Sequence, residues 1–349
     1  MVAPGYRRVP VRRTVRNRPV DDDGFGRFAP LLKGMSNKRQ RGTPTVRVRG
    51  LSDLIHLVPS MLGFHPEESL VVVCLDEGRV AVTARADLAR LTCADDIDDC
   101  FGALWDRYPS CACVVIAFST DAEAAWSVVE DFIGELPADV WVDAAHVDGH
   151  AWFDAPFGVA HRYDPPSSAV AAEAAYWGVN VLPDRGSLAA TLQPVISRPE
   201  MDQALARVIA IEPTTTVASA LDVLASLSAS PRPPSAHEAS MLAVAAFSPA
   251  FADVVVGDIE HRTAGGVRAL WTDVVRRVPP FAGGMAAVFV GMAAWVSGDG
   301  ALVNVCLERA VDSAGGNQWF RFLEIAARVA LPPSQWGEVR TELVRGRAA

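Results

Sequence analysis

LSDLIHLVPSMLGFHPEESLVVVCLDEGRVAVTARADL, Leu51 to Leu88, is the stretch that decides the architecture. Ser52 has the chemistry of an N-cap, and Leu54, Ile55, Leu57, Val58 and Met61 follow it at helical spacing. Gly63 stops that helix, because glycine enters the left-handed region without steric cost. Leu70–Leu75 is then an unbroken apolar run, the pattern of a strand buried on both faces. Asp76-Glu77-Gly78 turns the chain, and Arg79–Leu88 returns as an alternating strand. Just upstream, Thr45–Arg49 (TVRVR) also alternates like a strand.

With residues 76–78 as the turn, Leu75 opposes Arg79, Ser69 opposes Arg85 and Glu67 opposes Asp87. His65, Glu67, Ser69, Arg85 and Asp87 then gather at one end of the sheet, where a rigid scaffold commonly holds a binding site. The planar fork of Arg85 suits a carboxylate or phosphate. The imidazole of His65 is of the type that moves protons near neutral pH. Ser69 is of the nucleophile type but lacks the G-x-S-x-G elbow. The same residues also suit a structural staple, with Ser69 closing a turn, Arg85 paired with Asp87 or Glu67, and His65 bonded to a backbone carbonyl.

Outward from this hairpin the pattern continues as α/β. Ala94–Tyr108 reads as a helix, Cys111–Phe118 as a buried strand, and Asp121–Gly134 as an amphipathic helix capped by Thr120 or Asp121. Val140–Val147 and His150–Phe153 form a hairpin about Asp148-Gly149. In that register His146 faces Ala151 while His150 faces Val147, so the two histidines point to opposite faces and share no metal. Pro156–Pro166 reads as loop, including His161, Tyr163 and Asp164. Beyond it helical spacing dominates, near 168–177, 185–192, 199–211, 217–227, 236–245, 267–275, 285–296, 301–311 and 318–329, with a proline-rich break at 229–235. Gly291–Val311 has the small-residue pattern of a tetratricopeptide-type helical hairpin, but a solenoid needs about three copies, so the single one here reads first as a helical hairpin packed in a small domain. The expected organisation is a basic disordered tail over 1–44, a mixed-sheet α/β domain over 45–155, and an all-α domain over 156–345.

The charge is uneven. Residues 1–50 hold 13 basic and 3 acidic side chains, net +10, against 19 basic and 38 acidic in the rest, net −19. Nucleic acid is therefore expected only on the tail, and only if translation begins upstream of Met35. Six cysteines without C-x-x-C spacing suit a reducing cytoplasm. The apolar run Phe281–Val296 is short for a bilayer and broken by glycines, so it reads as a core helix, and no membrane partner is expected. Trp126, Trp141, Trp152, Trp177 and Trp271 are expected in the core and at the domain interface. The chain has no phosphate loop or dinucleotide fingerprint, so no cofactor and no metal is expected.

The run LVPSMLGFHPEESLVVVCL with RVAVTARADL resembles the opening of the actinobacterial domain of unknown function 4192 family. Pro59, Leu62, Gly63, Phe64, His65, Pro66, Ser69, Leu70, Arg85, Asp87 and Leu88 match its motif, and Ser168–Pro183 and Ala294–Ala310 resemble later blocks. The resemblance covers about residues 46–340 and implies a cytoplasmic α/β-plus-helical protein of a high-GC bacterium, with no reaction assigned. Many members carry paired cysteines in the mid-chain loop. Asp154-Ala155-Pro156-Phe157-Gly158 has none, so the resemblance brings no metal or redox role to that loop here. Visible helix pairs and an incomplete catalytic set point first to a non-catalytic cytoplasmic binding or scaffold protein, with another protein or its own copy as partner. The second reading is an enzyme or sensor that takes a small anionic ligand at His65, Ser69, Arg85 and Asp87.

Overall fold

A computed structural model describes residues 46–341, apart from 110, 137–139, 141, 212 and the side chains of 213–215. The expected tail and Trp141 lie outside the described residues. Two compact units divide the chain, one ending at Asp184 and the other beginning at Arg185.

The first unit is built on a six-stranded mixed sheet ordered β2-β1-β3-β4-β5-β6. Its strands are β1 (Ser69–Asp76), β2 (Arg79–Asp87), β3 (Ala112–Phe118), β4 (Val142–Val147), β5 (Ala151–Phe153) and β6 (His161–Arg162). The neighbouring pairs of these six strands run antiparallel except β3 and β4, which run parallel. They need a crossover, and α3 (Ala122–Glu135) supplies it, capped by Asp121, which accepts from the Ala124 N–H at 3.0 Å. α2 (Ala94–Arg107) lies beside α3, with the Phe132 ring edge-on to Phe101 and Trp105. Trp126 of α3 meets His146, which places this helix pair on one face of the sheet. α1 (Leu51–Leu62) and α4 (Ala169–Tyr176) cover the other, where Met61 of α1 accepts from the Thr83 hydroxyl. β1 and β3 are therefore buried on both faces, which is why they are apolar without alternation, while the edge strand β2 stays half-exposed.

Several local expectations are corrected. Val46–Arg49 forms no strand, since a short alternating run gains nothing without a sheet edge to join. α1 starts at Leu51 behind Gly50, with no side-chain cap from Ser52; the Asp53 carboxylate instead accepts from the Arg49 N–H at 2.9 Å. Gly63 ends that helix in the left-handed region as expected, at φ 78°. The 156–166 stretch is not all loop, because His161–Arg162 adds the edge strand β6 and the His161 ring stacks on Trp152 at 4.2 Å. The first unit runs beyond residue 155, because α4 packs its Val170 and Ala174 on Leu57 of α1.

The second unit is helical: α5 (Arg185–Ala190), α6 (Arg198–Ile209), α7 (Pro213–Ala229), α8 (Ala236–Ala245), α9 (Pro249–Asp258), α10 (Ala264–Val275), α11 (Gly284–Val296), α12 (Gly300–Ala314) and α13 (Gln318–Arg328). Every residue of α11 is buried, as an all-round apolar helix must be, and α10, α12 and α13 surround it. At Gly291 a Cβ would stand 2.6 Å from Leu323 and 3.1 Å from Cys306, so glycine there sets how closely the helices approach. Trp271 packs edge-on to Phe289 with ring centres 4.7 Å apart. Among the described residues no single helix is long and apolar enough to cross a membrane.

Candidate functional site

The β1–β2 hairpin turns more tightly than residues 76–78 imply. Asp76 pairs with Arg79, and Glu77 and Gly78 form a two-residue turn with φ 49° and 73°, the primed geometry that matches strand twist. A bulge then skips Ala81, so that Leu75 pairs with Val80 but Cys74 with Val82. Each departure alone would send every later side chain of β2 to the opposite face. Together they restore the face and slide β2 by two residues. Ser69 therefore opposes Asp87, not Arg85, and Arg85 opposes Val71.

The outcome is a row across the whole sheet: Asp87, Ser69, Phe118, Val147, Trp152 and His161 are successive cross-strand partners. Arg85, one pair inward on the same face, reaches diagonally to the row's start. Its Nε donates to Ser69 Oγ at 2.8 Å, Nη1 pairs with Asp87 at 2.6 Å, and Nη2 approaches the Glu67 carbonyl at 3.4 Å. The Ser69 hydroxyl donates to that same carbonyl. Ser69 is fully buried and the Arg85 side chain is only 14% exposed.

Of the expected five, the structure brings Ser69, Arg85 and Asp87 into contact and adds Glu67 through its backbone oxygen. His65 stands apart. Its backbone N–H binds the Leu182 carbonyl at 3.1 Å, and its imidazole makes no hydrogen bond, ion pair or ring contact among the described residues. The side chain that does reach across is Glu68. Its φ of 40° breaks the strand alternation and aims the carboxylate at the end of β3. There it accepts from the Ser119 hydroxyl at 2.9 Å and from the Thr120 N–H at 3.3 Å. Ser119 Oγ in turn accepts from the Asp121 N–H at 3.0 Å, just before α3. His146, 1% exposed, donates its Nε2–H to the Ser119 carbonyl at 2.8 Å and stacks on Phe153.

On the α1 side, His56 is held from both nitrogens. Nδ1 donates to the Ser52 carbonyl at 2.7 Å, which leaves Nε2 to accept from the Asp164 N–H at 3.1 Å. Tyr163 lies between His56 and Phe118, and burial pushes its phenol up. Sequence reasoning missed Glu68, Ser119 and His56. The first two carry no periodic signal, and His56 reads as part of an apolar helical face.

The metal expectations can be placed too. β4 pairs His146 with Phe153 and Val147 with Trp152, which leaves His150 in the turn that Asp148 closes by accepting from the His150 and Ala151 N–H groups. Among the described residues no three His, Cys, Asp or Glu side chains gather as a metal site. Cys74 and Cys113 oppose each other on β1 and β3 with sulfurs 3.9 Å apart, and the hydrogen bond with Cys113, reinforced by burial, raises the Cys74 thiol strongly. Trp177 is not core: it is 52% exposed and meets the 83% exposed Tyr176 edge-on at 5.3 Å.

A family model described as "Domain of unknown function (DUF4192)" matches residues 52–334. No curated protein and no solved structure matches the chain.

Proposed function

The chain belongs to the family described as domain of unknown function 4192, and from that premise we propose that it is a non-catalytic cytoplasmic binding protein, contacting a protein partner through the surface around Tyr176 and Trp177. The exposed aromatic pair carries this reading. Two large rings held against each other in water offer a partner rigid apolar area at little entropic cost. The polar cluster supports it from the other side. A hydroxyl that is fully buried, with its proton given to a backbone carbonyl and its lone pair to Arg85, is not presented to a substrate. The α11–α12 hairpin, close-packed through Gly291, serves in this reading as a tetratricopeptide-like element of a scaffold.

The test places a photo-crosslinking amino acid at Tyr176 in the native cells. One discrete adduct, lost in Trp177→Ala and retained in Arg85→Ala, is expected. The reading fails if no adduct forms while a nucleotide, phosphorylated metabolite, carboxylic acid or divalent metal raises the melting midpoint of wild type but not of Arg85→Ala. That result would make the Arg85 cluster the ligand site of an enzyme or sensor.

A further inference from the structure

In the helical unit, α10 turns one stripe toward a cavity of about 360 Å³, at the low end of the range for small-molecule sites. Gly265, Arg268, Ala269, Thr272, Asp273 and Arg276 recur at three- and four-residue spacing along it. Leu188 and Thr191 wall one side, and Asp299 with Leu302 close it at the start of α12. A Cβ placed at Gly265 would meet no side chain or neighbouring element within 4 Å, and Ala269 contributes only a methyl, so this end of the stripe leaves room.

The charges in the cavity are unevenly used. Asp273 is taken by Arg277 one turn on. Asp299 caps α12 by accepting from the Leu302 N–H at 3.0 Å, and Arg268 stands 3.3 Å from its other oxygen. Burial pushes the Asp299 carboxyl up, so that pairing is spent on holding one desolvated acid. Arg276 is different. Its Nε approaches the Gln193 carbonyl at 3.4 Å, which fixes the stem, while both terminal nitrogens lack a partner among the described residues. The Thr272 hydroxyl, one turn before it on the same stripe, also has none. Both acids of the cavity are already matched, so the unspent groups are one guanidinium fork and one hydroxyl, an oxyanion's complement.

We propose that this groove of the helical unit binds a small oxyanion ligand, with Arg276 clamping its carboxylate or phosphoryl group and Thr272 adding a hydrogen bond. The size of the cavity limits the occupant to a small molecule. The net −19 beyond residue 50 disfavours a nucleic-acid chain. Arg268 lies two turns away along α10, about 12 Å at the helical rise, so one oxyanion engages Arg276 without displacing the Arg268–Asp299 pair.

The experiment treats the full-length protein with phenylglyoxal, which modifies accessible arginines, in inorganic phosphate, in succinate, or in chloride of equal ionic strength. Arg276 and the exposed Arg207 are read separately by mass spectrometry. Selective protection of Arg276 by phosphate or by succinate is expected, and which of the two protects identifies the oxyanion as phosphoryl or carboxylate. Calorimetric titration of the protecting anion is expected to weaken about tenfold in Arg276→Leu and about threefold in Thr272→Val, and to be unchanged in Arg207→Leu. Equal protection of both arginines, or protection of Arg276 by neither anion, overturns the proposal, and the wild-type reading decides this even if a variant fails to fold.

Discussion

The two units treat their polar side chains in opposite ways. At the end of the sheet, Ser69, Arg85, Asp87, Glu68, Ser119 and His146 satisfy one another and the backbone. In the helical unit, Arg276 and Thr272 face a cavity with hydrogen-bonding groups that no described residue takes up. The sheet cluster is conspicuous in sequence because it is dense, and density is also what lets it close on itself. The helical groove is inconspicuous because it is sparse, and sparseness is what leaves it able to accept a ligand. Polar richness is therefore a poor guide to a site; the better guide is polar capacity left over after the fold has taken its share.

Four measurements would sharpen or break that contrast. The largest effect belongs to the apolar core, which sets the scale. Trp271 is 1% exposed, and Trp271→Ala is expected to lower stability by about 3–5 kcal/mol in urea unfolding. Arg85→Ala comes next, at about 1–3 kcal/mol, because it removes charge-assisted bonds and leaves Ser69 buried with half its partners. A change near zero there would mean that the staple is ornamental and the contrast false.

Third, Glu238 is held by both terminal nitrogens of Arg232 and by the Ser235 cap, which depress its carboxyl from 4.5 to about 2. Because the folded value is the lower one, the stability it gives is complete above about pH 4.5 and is lost as pH falls toward 2. Half of the Arg232 side chain is exposed. Wild type is therefore expected to lose only about 1 kcal/mol more than Glu238→Gln between pH 5 and pH 2, once solvent screening is allowed for. The smallest effect is Arg276→Leu, expected to stay within about 0.5 kcal/mol of wild type in the absence of ligand, because it breaks no short bond. A loss as large as that of Arg85→Ala would show that Arg276 is structural after all.

Much of the fold was legible because its signals are local. The apolar runs of β1 and β3, the Asp121 cap and the all-apolar α11 each announce themselves within a dozen residues. α9 was not legible, because its Val254-Val255-Val256 run is β-branched and only tertiary burial of Phe251, Val255 and Val256 makes it a helix. The site was legible in part for a reason of parity. The turn and the bulge each misplaced β2 by one residue, and the two errors preserved which side chains share a face. Glu68 was passed over for Glu67 because strand alternation selects every second residue, and the positive φ at Glu68 breaks that count. Arg276 was invisible because its cavity is assembled from three helices, and an arginine on one of them looks like any surface arginine.

The paired turn and bulge also govern how this hairpin can change length. A single residue inserted between Asp76 and Val82 would turn Thr83 and Arg85 toward the α2–α3 side and take the guanidinium away from Ser69. Two inserted residues would lengthen the loop and leave every side chain beyond it facing as before. The hairpin is thus an even-numbered element. Tags and reporter loops introduced there are expected to be tolerated in steps of two residues and rejected in steps of one, unless a second bulge arises to restore the count.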